Sequence, residues 1–283
     1  MMRRSMAREH DTELYRYPQQ LRDTLAHLPA TPGVYFFWAA NSHVPLYIGK
    51  SVNIRSRVLS HLRTVREAKL LRQTDRITFS ETAGDIGAQL LEATLIKQLI
   101  PLHNKQLRKQ RSLFSLQWLE PRIAFVSSSE QNFARTPNLY GLFRNKRTAM
   151  EFIRNLADEH QLCLATLGIE TTQRGRGCFR SMLGKCRGVC QGKETVEEHS
   201  RRVIQALSTW QIKMWPYKGR VAIHEQREGF NDYHIIDHWR YINTVNTLVS
   251  LPREQHENSF DGDSYRILCR ALFSGVEVIP LDE

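Results

Sequence analysis

The sequence has no apolar run approaching the roughly 20 residues that a bilayer-spanning helix needs. Its opening stretch, MMRRSMAREHDTELYRYPQQ, also lacks the apolar core of a secretory leader. No membrane partner is expected, and a cytoplasmic location is. Cysteine is scarce as well: Cys163, Cys178, Cys186, Cys190 and Cys269 make an odd set, and in a reducing compartment such a set argues against a disulfide framework. Acidic side chains are in deficit, 29 against 40 Lys and Arg, which leaves a formal charge of +11. That excess favours an anionic partner, and nucleic acid is the commonest soluble one. There is no internal repeat and no low-complexity tract.

What is present suggests two or three modules, since 283 residues exceed a minimal domain. GVYFFWA (33–39) and VPLYIG (44–49), β-branched and aromatic runs parted by ANSH, read as a β-hairpin. On pleated strands Tyr35 and Phe37 share a face, as do Tyr47 and Gly49. A helix is expected from about Asn53 with Ile54, Val58 and Leu62 inward, and Arg57 and His61 on an adjoining face. RITFSETA (76–83) reads as a third strand, and GDIGAQLLEATLIKQLI (84–100) as a helix stopped by Pro101. This β-β-α-β-α order makes a small sheet with helices against it.

At KQLRKQR (105–111) the texture changes. The plain reading is a solvated linker, but with Arg55 the cations Lys105, Arg108, Lys109 and Arg111 are also candidate DNA contacts. Beyond it, SLQWLE and RIAFVSS suggest strands, KRTAMEFIRNLADEH (146–160) an amphipathic helix with Ala149, Phe152, Ile153 and Leu156 inward, and TVEEHSRRVIQAL a helix opened by a Thr195/Glu198 capping box. GRVAIHEQ, YHIIDHWRYI and YRILCRALF look strand-like. The expectation is an α+β chain with a 1–23 extension, a 24–110 sheet-and-helix domain, a 111–214 cysteine-bearing helical domain and a β-rich 215–283 region.

Chemistry concentrates in the first domain. Glu92 would sit on a mostly apolar helix face, where a carboxylate is costly unless something meets it. The bland solution is a salt bridge to Arg57 or Lys50; the sharper one is a divalent metal with hard oxygen ligands. Tyr35 and Tyr47 are ordinarily packing residues in strands. Beside a metal, with Lys50 and Arg57 near enough to favour a phenolate, they become candidates for proton transfer in phosphodiester hydrolysis.

GVY, YIGK, Arg57, the Glu92 helix and Asn104, in this order and spacing over about residues 24–105, resemble the GIY-YIG nuclease domain. The resemblance implies Tyr47 as general base, Tyr35 and Lys50 in support, Arg57 on the scissile phosphate, Glu92 holding one Mg²⁺ or Mn²⁺, and Asn104 fixing the site. At the position of His61, DNA-repair members typically carry tyrosine; an imidazole there can bond a phosphate, relay a proton or simply pack. LYGLFRNKRTAMEFIRNLADEHQLC with GCFRSMLGKCRGVCQG further resembles the segment after the nuclease domain of bacterial excinuclease C. The later modules of that protein, including its second nuclease domain, do not fit the remaining 70 or so residues. The resemblance therefore implies a short form that makes only the 3′ incision in nucleotide excision repair, on damaged double-stranded DNA with UvrB, and acts as a monomer. The competing reading is a DNA-binding adaptor whose nuclease fold is inactive; retention of Tyr35, Tyr47, Lys50, Arg57 and Glu92 together speaks against it. The last 65 residues, to which no chemistry attaches, are left by elimination as a candidate UvrB contact.

Cys163, Cys178, Cys186 and Cys190, spaced C-x14-C-x7-C-x3-C, lie in a stretch rich in Gly and Arg with few large apolar residues. Four thiolates suit a tetrahedral Zn²⁺ or a [4Fe–4S] cluster. Zinc sites usually bring close cysteine pairs, and here only Cys186 and Cys190 are near one another, so the uneven gaps favour the iron–sulfur cluster. The resemblance to excinuclease C points the same way. Cys269 is not expected to be a ligand, and free thiols packed as small hydrophobes are the plain alternative.

Overall fold

A computed structural model describes residues 20–104, 112–172, 177–248 and 260–281. The chain divides into two compact units, Met1–Arg108 and Lys109–Glu283. The cationic residues Lys105, Arg108, Lys109 and Arg111 lie outside the described residues.

In the first unit, helix α1 (Gln20–Ala26) precedes strands β1 (Gly33–Trp38) and β2 (Tyr47–Ser51). Then come α2 (Ile54–Arg63), a 3₁₀ turn Val65–Glu67, α3 (Ala68–Gln73), β3 (Arg76–Glu81) and α4 (Asp85–Leu99). The strands form an antiparallel sheet in the order β2-β1-β3. The central strand β1 feeds both faces, because a pleated strand turns alternate side chains to opposite sides. Val34 and Phe36 meet Ile48 and the Ile96 stripe of α4, while Tyr35 and Phe37 meet Ile54, Val58 and Leu62 of α2 and Leu70 and Leu71 of α3. The hairpin, α2, β3 and α4 lie where sequence periodicity places them. The short helices α1 and α3 were not foreseen; at seven and six residues they are under two turns and carry too little periodicity to read.

Asn53 caps α2 by accepting from the Ser56 N–H, and Ile54, Val58, His61 and Leu62 are all buried along it. His61, expected on an adjoining face, therefore belongs to the inward stripe. The helix α4 ends at Ile100, which takes a left-handed conformation before Pro101 blocks continuation.

In the second unit, β4 (Phe114–Leu119), β5 (Arg122–Ser127) and β6 (Leu139–Phe143) form a sheet in the order β5-β4-β6. It shares a core with α5 (Lys146–Glu159) and α7 (Val196–Leu207), built on Leu116, Tyr140, Ile153, Leu156 and Val203. The short α6 (Phe179–Met182) lies between them in sequence. The Thr195/Glu198 capping box is present. A second sheet follows in the order β10-β7-β8-β9, from β7 (Val221–Arg227), β8 (Phe230–Asp237), β9 (Arg240–Val245) and β10 (Val278–Pro280), with α8 (Gly262–Phe273) before its last strand.

Two strand readings are corrected here. YHIIDHWRYI is not one strand but the end of β8 and the start of β9, joined through His238 and Trp239, both with positive φ. YRILCRALF is helix α8, started by Asp261, whose side chain accepts from the Asp263 N–H. Its buried residues Tyr265, Leu268 and Ala271 recur every three positions, a helical period that the apolar density of the segment masks.

Candidate active site

The antiparallel register of the hairpin pairs Tyr35 with Gly49 and Phe37 with Tyr47. All four therefore share one face of the sheet, and Gly49 has a specific reason to lack a side chain. A Cβ there would run into the phenol of Tyr35 and the ring of Tyr47. The YIG motif thus makes room for the other tyrosine.

On this face the two phenol rings lie 6.2 Å apart, and both Tyr47 and Arg57 act electrostatically on Tyr35. Tyr35 is 1 % exposed, whereas Tyr47 is half-buried and Arg57 exposed. The pair is layered, with Tyr35 behind and Tyr47 and the guanidinium toward solvent. Burial pushes both phenols well above their ordinary pKa; for Tyr47 the charge of Glu92 adds to the rise and Arg57 opposes it.

His61 closes the back of the pocket. Its ring lies 5.4 Å from that of Tyr35 and 5.5 Å from those of Tyr47 and Phe37, and its Nε2 is 2.7 Å from the Tyr35 hydroxyl. Its Nδ1 is bonded to the carboxylate of Glu67. Burial lowers the pKa of His61, with Glu67 opposing and Arg57 reinforcing the shift.

Glu92 and Asn104 reach the site differently. β2 is an edge strand, and the backbone groups of Ile48 and Lys50 point away from β1. Asn104 takes up the first of these, accepting from the Ile48 N–H at 2.9 Å and donating to the Ile48 carbonyl at 2.7 Å. Glu92 takes the second, accepting from the Lys50 N–H at 3.0 Å through Oε1. The two side chains satisfy an edge that would otherwise need water or another strand.

The Lys50 ammonium does not approach Tyr47. Alternation turns it to the opposite face, where Asp85 holds it at 2.9 Å, and Asp85 also accepts from Gln89 at 2.8 Å. Neither of the two salt bridges considered for Glu92 forms: its partner on Lys50 is the backbone. Burial raises the pKa of Glu92, with the Lys50 N–H, the Lys50 charge and Arg57 opposing the rise and Asp85 adding to it. A half-buried carboxylate in that state, open toward solvent beside Tyr47, fits a hard divalent cation that keeps most of its water. Arg55 is exposed in the first turn of α2. Sequence reasoning missed Glu67 and Asp85. Asp85 lies two helical turns before Glu92, a spacing that was available, whereas Glu67 lies beyond the end of α2 and nothing local points to it.

The second constellation lies between α5 and α7. The thiols of Cys163, Cys178, Cys186 and Cys190 all lie within 4.8 Å of one another, with Cys163 and Cys178 at 3.8 Å. They form a small apolar cluster of their own with Val189 and Ala165. Cys269 is not part of it. The Cys178 N–H donates to the Cys190 sulfur and the Gly188 N–H to the Cys186 sulfur, each at 3.3 Å. Gly188 has a φ of 88°, a left-handed conformation suited to glycine. Burial pushes the Cys178 and Cys186 thiols up; Cys163, although burial acts on it too, is drawn down by hydrogen bonds from Thr166 and the facing cysteines. Four sulfurs aimed at one point could hold a metal. A single tetrahedral ion with metal–sulfur bonds of about 2.3 Å sets its sulfurs a little under 4 Å apart. A cubane, with a separate iron under each thiolate, spreads them further.

Comparison with known proteins places residues 31–105 in the UvrC-like GIY-YIG domain, 113–209 in the UvrC/Cho excinuclease middle domain and 220–283 in the excinuclease Cho C-terminal domain. The chain is 49 % identical over 276 residues to excinuclease Cho of Escherichia coli strain K12, covering 95 % of this chain and 92 % of that one. It is 30 % identical over 207 residues to the UvrABC system protein C of Trichormus variabilis, covering 70 % of this chain and 32 % of that protein. A crystal structure of the magnesium-bound GIY-YIG N-terminal endonuclease domain of UvrC from Thermotoga maritima matches with 30 % identity and a TM-score of 0.29, over 31 % of this chain and 98 % of that one.

Proposed function

The chain belongs to the UvrC/Cho excinuclease family, and from that membership we propose that it is a divalent-metal-dependent endonuclease making the 3′ incision beside a lesion in a UvrB–DNA complex. The observation that carries the reading is the layered arrangement at the hairpin. A half-buried tyrosine and an exposed arginine face solvent together, with a buried tyrosine behind and a half-buried carboxylate at the strand edge.

In this reading Tyr47 takes a proton from the attacking water, because it is the phenol nearer solvent. Arg57 meets the non-bridging oxygens of the scissile phosphate and offsets the charge that grows on them. Glu92 would hold Mg²⁺ or Mn²⁺, which supplies Lewis-acid stabilisation of the phosphate and leaving oxygen when bound. Asn104 keeps β2 and its tyrosine in register, and Lys50, bound to Asp85, fixes the start of α4 against β2. Arg55 and the 105–111 cations contribute phosphate contacts.

Cys163, Cys178, Cys186 and Cys190 hold a structural metal centre. The long gaps in sequence favour a [4Fe–4S] cluster, and the sulfur separations favour one Zn²⁺. The protein acts as a cytoplasmic monomer on damaged duplex DNA, with residues 215–283 the candidate surface for UvrB.

The test is a nicking assay on duplex carrying one defined lesion, with and without UvrB, in Mg²⁺, in Mn²⁺ and in EDTA. A single nick on the 3′ side that needs both UvrB and the metal is expected. Binding without any nick under all conditions would establish the inactive adaptor instead.

A further inference from the structure

The tyrosine pair does not end at Tyr35. The Tyr35 hydroxyl is 2.7 Å from His61 Nε2, and His61 Nδ1 is bonded to Glu67. Both contacts lie behind the pair, with His61 only 3 % exposed.

The chemistry of the groups gives this chain a direction. A carboxylate only accepts, so the proton of His61 belongs on Nδ1, facing Glu67. A neutral imidazole then has a bare Nε2, which can only accept, and the one O–H of Tyr35 is committed to it. Toward the neighbouring Tyr47 phenol, whose ring lies 6.2 Å from its own, and toward Arg57, Tyr35 can then only accept. The hydrogens of Tyr35 and His61 both point inward, toward Glu67.

We infer that His61 and Glu67 form a proton-accepting dyad for the tyrosine pair, buried His61 receiving the proton and half-buried Glu67 acting as a positioning residue that sets its tautomer and stabilises its charged form. The inference rests on the proposed role of Tyr47 as base. The Tyr47 proton passes to the Tyr35 oxygen as the Tyr35 proton passes to Nε2, leaving a Tyr47 phenolate and an imidazolium against Glu67. The phenolate then takes a proton from water as the new P–O bond forms. When the leaving oxygen takes a proton from solvent the imidazolium returns one, and the site is reset. This is the logic of a histidine oriented by a carboxylate, with a phenol in place of a serine hydroxyl. Burial lowers the pKa of His61, which favours the neutral ring that can accept a proton. The charged or titratable groups around the ring are Tyr35 on β1, Tyr47 on β2, Arg57 on α2 and Glu67 on the 3₁₀ turn.

The experiment uses the full chain and two readouts. Nitrogen NMR of the resting protein should show His61 neutral, protonated on Nδ1 and bare on Nε2. Glu67→Gln, which keeps an acceptor for Nδ1 but removes the charge, should lower maximal nicking about a hundredfold. Its acid limb should move to lower pH, because without the carboxylate the imidazolium is harder to form and His61 stays neutral further down. DNA affinity and melting temperature should match the parent. A proton on Nε2, or a Glu67→Gln profile that falls in height without moving along the pH axis, would overturn the dyad. Because the NMR result does not depend on turnover, it separates a failed dyad from a failed assignment of Tyr47: a correct tautomer with no nicking by the parent protein points to the latter.

Discussion

Tyr35, Tyr47, Arg57 and Glu92 come from two strands and two helices, and the regular structure of the first unit holds them in place. Among the described residues, Cys163, Cys178, Cys186 and Cys190 come from a stretch with only a four-residue helix and a 3₁₀ turn, and the buried cluster there is made largely of the thiols themselves. In the first site the fold positions the ligands. In the second the ligands, and whatever they bind, stand in for a fold. Losing a residue should therefore have opposite consequences at the two places: lost chemistry with the structure kept at the hairpin, lost structure with the chemistry kept at the cysteines.

The sharpest break is Glu92→Ala. It should abolish nicking while leaving DNA affinity nearly intact, since the proposed task of the carboxylate is to hold the metal whereas affinity to DNA comes mainly from Lys and Arg contacts. Gel-shift and nicking measurements on one preparation check this, and nicking at the parental rate would remove Glu92 as the metal ligand. Tyr47→Phe should come next, with turnover lower by about 10²–10⁴ and an unchanged melting temperature, because one oxygen is lost and the packing is kept. A Phe protein as fast as the parent would shift the role of base to Tyr35.

At the cysteines the comparison inverts. Under the proposed metal centre, Cys186→Ser should release the metal and lower the melting temperature of the second unit, while the Tyr35, Tyr47 and Glu92 geometry of the first is retained. Metal analysis of the anaerobically purified parent sharpens the prediction. About four irons with a brown colour mark the cluster, one zinc in colourless protein marks the single ion that the sulfur distances fit, and metal-free folded protein leaves four packed thiols. The smallest effect belongs to Asn104→Ala. Two hydrogen bonds to the Ile48 backbone are lost, and at about 1 kcal/mol each the first unit should be destabilised by about 2 kcal/mol in denaturant melts. No measurable loss would mean that water replaces the amide at the strand edge.

The two regions also differed in how far they could be read in advance. GVYFF and YIGK are periodic, the Ile54, Val58 and Leu62 stripe and the Pro101 stop are local signals, and the elements they predict are present. Glu92 stood out because a carboxylate on an apolar helix face needs an explanation. The cysteines stood out by composition. The segment YRILCRALF was misread because aromatic and branched apolar residues dominate it, and the Asp261 cap that starts the helix lies outside the run.

What the sequence determined by itself is therefore whatever depends on near neighbours: strand alternation, helix stripes, caps, the grouping of thiols and the excess of positive charge. Partners distant along the chain were decided only by the tertiary structure. Glu92 could have met Lys50 through its ammonium or its backbone, and the pleat chose the backbone by turning the side chain to the other face. His61 could have faced solvent phosphate; the packing of α2 on the sheet buried it against Tyr35, and the 3₁₀ turn then brought Glu67 to its far nitrogen. The physical reason is the same in each case. Side-chain direction follows from the local backbone, but what stands in that direction depends on how the sheet and helices close on one another.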